Sequence, residues 1–459
     1  MSPDTVSDRG VVSARRAGLS FLIALALSLG LYAWLPFDAT VRKGLCLLVF
    51  IGLLWLTEAI PLAVTALLVP VGALVLGFPG LTTAKVLAPF ADPIVFLFLG
   101  GFALASAMRA QQLDRKMAGF LLTLSGGHLG RAVLLLFAVT AVLSMGISNT
   151  ATAAMVLPLT LGILAPLDPQ RERRTFAFVL LGVAYAASIG GMGTLVGSPP
   201  NAIAARAAGI DFSQWLSIGM PLVLVLMPLM VLTLWLVLRP QLDRHLAITA
   251  IDVPWTWQRG LTLAVFFLTA LGWTFGAEPL KNMGIQSPDT VFALAAAIAV
   301  VALRLVGWRE VSEHTDWGVL ILFGGGLALG EVLATSGASV VLGEHVASLL
   351  QGTAPWAVLL VVAAFMVLLS EFASNTAAAA LLVPVFAAVA TQMGLPAETL
   401  VVVVALAASC GFALPVATPP NALVFGSGRV RQRDMLRAGL SLDLACVGVL
   451  TLWGLLALS

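Results

Sequence analysis

Three stretches of this chain occur twice, in the same order. "FLFLGGFALA" (96–105) is answered by "LILFGGGLAL" (320–329), "SNTATAAMVLPL" (148–159) by "SNTAAAALLVPV" (374–385), and "GSPPNAI" (197–203) by "ATPPNAL" (417–423). The offsets are 224, 226 and 220 residues. A lone SNT or PPN carries almost no information, but three matched pairs in register mark an internal duplication. Whatever one half folds into, the other must fold into as well.

Composition says what the duplicated unit is. Of 459 residues, 60% are hydrophobic and 10% charged, where a soluble domain carries roughly a quarter charged residues. Many windows exceed the roughly 18 apolar residues that span a bilayer. The fold class is therefore an all-α polytopic membrane protein, held in a lipid bilayer and without a soluble domain. A net charge of +2 points to neither nucleic acid nor an acidic partner. Cys46, Cys410 and Cys446 lie in apolar segments, and an odd number implies no disulfide framework.

Hydropathy predicts a cytoplasmic N-terminal segment, 1–16, and a first transmembrane helix, 17–36, with no small-residue cleavage site after it. Repeat 1 occupies 44–238, in segments 44–59, 60–78, 84–108, 131–166, 176–208 and 217–238. Repeat 2 occupies 260–457, in segments 260–276, 288–306, 316–335, 355–391, 399–426 and 436–457. The stretches 131–166 and 355–391 are too long for one span and are interrupted near the middle. Lys and Arg decide how they run, because cytoplasmic loops are enriched in them. With both as re-entrant hairpins, nineteen of the 24 basic residues lie inside and five outside. With both as crossings the split is thirteen to eleven. The hairpin reading gives about eleven transmembrane helices, with the N-terminus inside and the C-terminus outside. Hairpin 131–166 then opens from the cytoplasm and hairpin 355–391 from outside. Each repeat holds five spans, an odd number, so the second copy is inverted. Inverted repeats are the architecture of secondary transporters, whose sites lie near the membrane midplane.

The repeated SNT sits at each hairpin tip. Backbone that leaves helical geometry inside a bilayer is tolerated only where it is buried in protein or lines a wet cavity. Ser, Asn and Thr are good N-cap residues, and the half-helices after them point positive dipole ends at the tips, which suits an anion. Asn149, Thr150, Asn375 and Thr376 can donate to a carboxylate. Carbonyl ends of the preceding half-helices, with Ser and Asn oxygens, can hold a hard cation such as sodium. Pro199, Pro200, Pro419 and Pro420 remove backbone donors and free carbonyls beside the tips. Two cation sites and one shared anion site follow.

Single polar clusters in membrane helices are commonly packing contacts; it is their pairing at repeat-related breaks that favours function. Gly100, Gly101, Gly324, Gly325 and Gly326 read as close-packing positions. Glu58, Asp92 and Glu371 lie near span ends or breaks and read as structural, with Glu371, three residues before Ser374, nearest the site. No Arg or Lys lies near the tips in sequence, which favours a C4 dicarboxylate over citrate. The four His fall in loops or span ends without metal-ligand spacing, and "RVRQRDMLR" (429–437) reads as a cytoplasmic charge run rather than a nucleic-acid patch. No HExxH, Walker or GxGxxG sequence occurs, so neither an enzyme nor an ATP-driven pump has support.

The SNT tips, the PPN breaks and "WLTEAIPLAVTALLVP" (55–70) resemble the divalent anion/sodium symporters, the di- and tricarboxylate transporters, from about residue 40 onward. The resemblance implies a homodimer in the inner (cytoplasmic) membrane. Each protomer would have a scaffold part and a transport part that moves as an elevator, carrying both hairpins and the broken spans 176–208 and 399–426. It implies one sodium site at Ser144, Ser148, Asn149 and Gly197, and a second at Ser370, Ser374, Asn375 and Ala417. Substrate would meet Ser148, Asn149, Thr150, Ser374, Asn375 and Thr376, with Thr418 and Pro419 lining the pocket. Position 370 is Ser where the family pattern has Thr, and the hydroxyl is retained. The implied function is sodium-coupled symport of succinate-, malate- or fumarate-type dicarboxylates, with sodium as coupling ion and no other cofactor. A sodium-independent exchanger with similar tips is the alternative. A channel or receptor would need a continuous polar pore or a soluble signalling domain, and the sequence shows neither.

Overall fold

The computed structural model describes residues 14–245, 253–350 and 352–458. The expected N-terminal segment therefore lies largely outside the described residues. The described residues are helical apart from turns and one isolated bridge between His128 and His245. Among the described residues, eight helices are long and apolar enough to cross a membrane, including Ala17–Trp34, Phe212–Leu238 and Gln432–Leu458. Leu62–Leu76 and Pro288–Ala302 are apolar but only 15 residues long.

The duplication is visible element by element. Each long interrupted stretch is two helices meeting at a non-helical tip. The first pair is Leu129–Ser144 and Asn149–Leu164; the second is Pro355–Ser370 and Asn375–Gln392. The shorter arms have 16 residues, or about 24 Å at 1.5 Å per residue, less than the roughly 30 Å hydrocarbon core. Each broken span is likewise two helices: Arg173–Gly191 with Pro199–Ala208, and Ala397–Ala408 with Pro419–Gly426. The Pro-Pro pair restarts the second half in both, because proline at the first helical positions loses no hydrogen bond.

Arg173–Gly191 packs against both arms of the first pair, and Ala397–Ala408 against both arms of the second. A long helix closes each unit from outside, through a glycine. A methyl at Gly219 would stand 2.5 Å from Met192 O, and one at Gly439 would run into Phe412 O. Both carbonyls belong to the unwound segments, so each long helix rests directly on its break.

A second group of helices, Ala39–Thr57, Leu62–Leu76, Pro93–Ala110, Pro288–Ala302 and Trp317–Ser336, packs mutually. The glycine-rich copies serve here as the sequence suggests. A methyl on Gly100 would stand 2.5 Å from Ala293 O, and one on Gly325 2.5 Å from the Ala66 side chain.

Several helices fall outside the expected segments, among them Ala277–Asn282, Trp308–His314 and a pair that matches between the repeats. Residues 109–130 and 336–354 contain no expected segment, yet Leu113–Leu124 and Ala338–Leu349 are helices at matching places in the two repeats. Both are 12 residues long, too short to register as spans. Each instead packs against its neighbouring tip pair.

Candidate functional site

The tips are built by their own residues. Ser148 Oγ accepts from Ala151 N at 3.3 Å and Ser374 Oγ from Ala377 N at 3.5 Å, so both serines are N-caps. Those acceptor bonds hold Asn149, Thr150, Asn375 and Thr376 at the first turns of helices, where backbone N–H groups and the helix dipole also favour an anion.

Behind the first tip, oxygens converge. Ser144 is wholly buried, with its Oγ 2.6 Å from Ala187 O and 2.7 Å from Asn149 Oδ1, and its single proton can be donated to either. Asn149 Oδ1 has Ala187 O at 3.1 Å and Gly197 O at 3.2 Å beside it; turned over, the amide would donate to both carbonyls and to Ser144 Oγ. Four oxygens in mutual contact, with one hydroxyl proton among them, are of the kind that suits a hard cation. They suit equally an amide rotated to donate into them. The Thr194 hydroxyl holds the surrounding turn, donating to Met145 O and accepting from Gly197 N at 3.1 Å.

The second tip repeats the plan with different braces. Ser370, wholly buried, donates to Val367 O at 2.8 Å and Cys410 O at 3.2 Å. A methyl on Gly411 would stand 3.1 Å from Ser370 O and 3.2 Å from Ala417 Cβ, so these three residues touch. Asn375 Oδ1 is buried and without a donor. Glu371 spans the break: Oε1 accepts from Ala413 N at 2.8 Å and Oε2 from Leu414 N at 2.7 Å. Asp443 Oδ1 accepts from Phe412 N at 3.2 Å. The two broken spans also meet, through Tyr185 of the helix Arg173–Gly191, whose hydroxyl donates to Phe412 O in the second break at 2.7 Å.

One cavity of about 1010 Å³ brings both tips and both PPN segments together. Ser148, Asn149, Thr150, Gly197, Ser374, Asn375, Thr376, Ala417, Thr418 and Pro419 all line it. Ser144 and Ser370, which complete the expected site, lie outside its lining, buried behind the tips.

The same cavity also carries a basic residue, which the absence of Arg or Lys beside the tips in sequence does not suggest. Arg109, half-buried at the end of Pro93–Ala110, lines the same cavity with Glu58, His314 and Asp316. Arg109 enters through tertiary packing from 40 residues before the first tip, a proximity that sequence spacing does not carry. Glu58, expected to be structural, also faces the cavity, from a left-handed backbone position at φ 46°. Asp92 does hold structure, capping Ile94 N at 3.1 Å and pairing with Arg206 at 2.7 Å. His128 and His245, unrelated in sequence spacing, lie with ring centroids 3.8 Å apart and their planes tilted by 51°. No group of three His, Cys, Asp or Glu side chains suited to a metal occurs among the described residues.

Comparison with known proteins then places this architecture. The citrate transporter family model (CitMHS) matches residues 53–407 and 352–458. An uncharacterised transporter of Haemophilus influenzae is 46% identical over 449 residues, covering 96% of this chain and 97% of that protein. The sodium-dependent dicarboxylate transporter SdcS of Staphylococcus saprophyticus is 33% identical over 491 residues, covering 98% of this chain and 86% of its own length. The crystal structure of the Alcanivorax borkumensis YdaH transporter, described as having an unusual topology, superposes with a TM-score of 0.56. That likeness spans 96% of this chain and 97% of the other at 14% identity, and it concerns the fold alone. With matches across nearly the whole chain and both sets of motifs gathered around one cavity, the protein belongs to the divalent anion/sodium symporter family of di- and tricarboxylate transporters.

Proposed function

We propose that this multi-pass membrane transporter carries C4 dicarboxylates by sodium-coupled symport. The observation that carries the reading is the cavity in which both SNT tips present donors, backed at the first tip by the oxygen cluster of Ser144, Asn149, Ala187 and Gly197. The anion is held at the tips by N–H groups, hydroxyls and helix ends, in a cavity that Arg109 also lines. The cations sit behind it, one per repeat, at Ser144, Ser148, Asn149 and Gly197 and at Ser370, Ser374, Asn375 and Ala417. The named activity of the staphylococcal relative supports both the substrate class and the ion.

In this reading the protein is a homodimer in the inner membrane, N-terminus inside. The tip pairs and broken spans move as an elevator against the mutually packed helices that include Pro93–Ala110 and Trp317–Ser336. Sodium-independent dicarboxylate exchange is the second reading. It is favoured by one feature: the Asn149 amide can satisfy the first oxygen cluster by itself.

Uptake of labelled succinate into proteoliposomes separates the two. Symport requires an inward sodium gradient and no internal substrate. Exchange is indifferent to sodium and requires internal dicarboxylate. No succinate flux under either condition would defeat both.

Two further outcomes are expected. Thr150→Val and Thr376→Val keep volume but remove a donor; a hydrogen bond to a charged group contributes about 1.5–3 kcal/mol, so the KM for succinate should rise about tenfold or more. Unchanged KM in both variants would remove the threonines from the anion site. Cysteines introduced at 168–172 should react with an impermeant reagent only from the cytoplasmic face, and those at 392–396 only from outside. Labelling from the opposite faces would overturn the hairpin topology.

A further inference from the structure

In both repeats the asparagine after the paired prolines makes the same two bonds. Asn201 Nδ2 donates to Gly191 O at 2.8 Å and Thr194 O at 2.7 Å. Asn421 Nδ2 donates to Gly411 O at 3.0 Å and Leu414 O at 3.0 Å. Each side chain therefore reaches back ten and seven residues, across the unwound segment. Both residues are wholly buried, and in both the Oδ1 atom has no donor. The orientation is fixed, because carbonyls can only accept: Nδ2 must face them and Oδ1 must face away.

An asparagine near a helix start ordinarily accepts from its own helix's free N–H groups. These two do the opposite. They serve carbonyls left over by the preceding half-helix, which has no further turn to satisfy them. At Asn421 the local capping task is done by another residue, since Thr418 Oγ1 accepts from Asn421 N at 3.3 Å. A buried acceptor left without a donor is unfavourable, yet both repeats keep it. The donor half of the amide is what both retain.

The carbonyls so held belong to residues that touch the candidate cation ligands. A methyl on Gly191 would run into Asn149 Oδ1 and stand 3.0 Å from Gly197 O. A methyl on Gly411 would stand 3.1 Å from Ser370 O and 3.2 Å from Ala417 Cβ. We propose that Asn201 and Asn421 are the positioning residues of the two cation sites, one for each. By tying Gly191 O to Thr194 O, and Gly411 O to Leu414 O, each fixes the peptide planes of its break. Gly197 in one repeat, and Ser370 and Ala417 in the other, are thereby held at their tip. The inference rests on the sodium reading above. It assigns the shape of each break to a side-chain donor as well as to the prolines.

The test uses Asn201→Ser and Asn421→Ser, which keep one donor without charge, and the isosteric Asn201→Asp and Asn421→Asp, which replace the donor with an acceptor. Purified protein in detergent is melted with and without sodium, in the absence of substrate; the sodium dependence of succinate uptake is then measured in proteoliposomes. Losing a partner that orients metal ligands typically costs about 10- to 100-fold in affinity. Each Ser variant should need about tenfold or more sodium for its half-maximal melting shift and for uptake, with the Hill coefficient lowered. Succinate KM at saturating sodium should change less than about threefold, below the span expected for a lost ligand contact. The Asp variants should be more severely affected in the same direction. Folded Ser variants with a wild-type sodium response would overturn the inference. So would Ser variants whose sodium-free melting collapses together with every other property, because the asparagines would then be structural only. A wild-type protein that moves succinate with no sodium response would instead defeat the sodium reading, and this inference with it.

Discussion

Replacing Gly197 with alanine is expected to abolish sodium-dependent uptake. A methyl there would stand 2.5 Å from Gly191 O and 2.9 Å from Ser144 O. Both are backbone atoms within the first break and the first tip, so no side chain can rotate away to make room. Overpacking of this kind costs about 1–3 kcal/mol in a packed interior. Here the relief must come from spreading the oxygens proposed to hold the ion. Uptake rate per mole of protein in proteoliposomes should fall about 100-fold, at the upper end of what loss of ligand orientation costs a metal site. The second repeat already carries Ala417 at the matching position, so the same methyl is tolerated there by a differently braced break. Gly260→Ala, where an added methyl meets nothing within 4 Å, is the control and should transport normally. Wild-type rates for Gly197→Ala would show that the first break does not need its present spacing.

Glu371→Ala should have the largest effect on folding. The carboxylate accepts from Ala413 N at 2.8 Å and Leu414 N at 2.7 Å, in a segment with no helical partners of its own. Leaving two such amides unpaired costs about 1–3 kcal/mol each, together a sizeable part of the roughly 5–15 kcal/mol that holds an ordinary domain folded. Poor yield and a melting temperature lower by several degrees are expected in detergent. Glu371→Gln should be intermediate, since one oxygen still accepts. An Ala variant as stable as the wild type would mean that water or another group serves those amides. Met145 occupies the corresponding place in the first repeat, where the Thr194 hydroxyl holds the turn instead. The two breaks share a shape and reach it by different chemistry.

Which parts were legible in the sequence follows from the range of the interactions. The tips and breaks announce themselves because SNT and PPN act on their own backbone, through N-caps and missing donors, and because duplication prints each signal twice. Ser144 and Ser370 are ordinary small residues in apolar helices; only the family resemblance singled them out. Ala187 O, one of the four oxygens at the first tip, has no sequence signature at all, since where a carbonyl points is set by backbone placement. Asn201 and Asn421 were in plain view, but the direction of a side-chain amide is set by what surrounds it. Arg109, Glu58, His314 and Asp316 reach the cavity from helices far along the chain, and only tertiary packing gathers them. The short helices Leu113–Leu124 and Ala338–Leu349 escaped because a hydropathy scan tuned to spans passes over segments of that length.

The two asparagines at the tips differ in a way that bears on the unloaded carrier. Asn149 can turn its amide to donate to Ala187 O, Gly197 O and Ser144 Oγ, whereas the Asn375 oxygen is buried with no donor to meet. If both tips bind sodium as proposed, loss of the ion would leave the first with an amide able to neutralise its oxygens and the second with a bare acceptor. The first ion would then be expected to leave before the second.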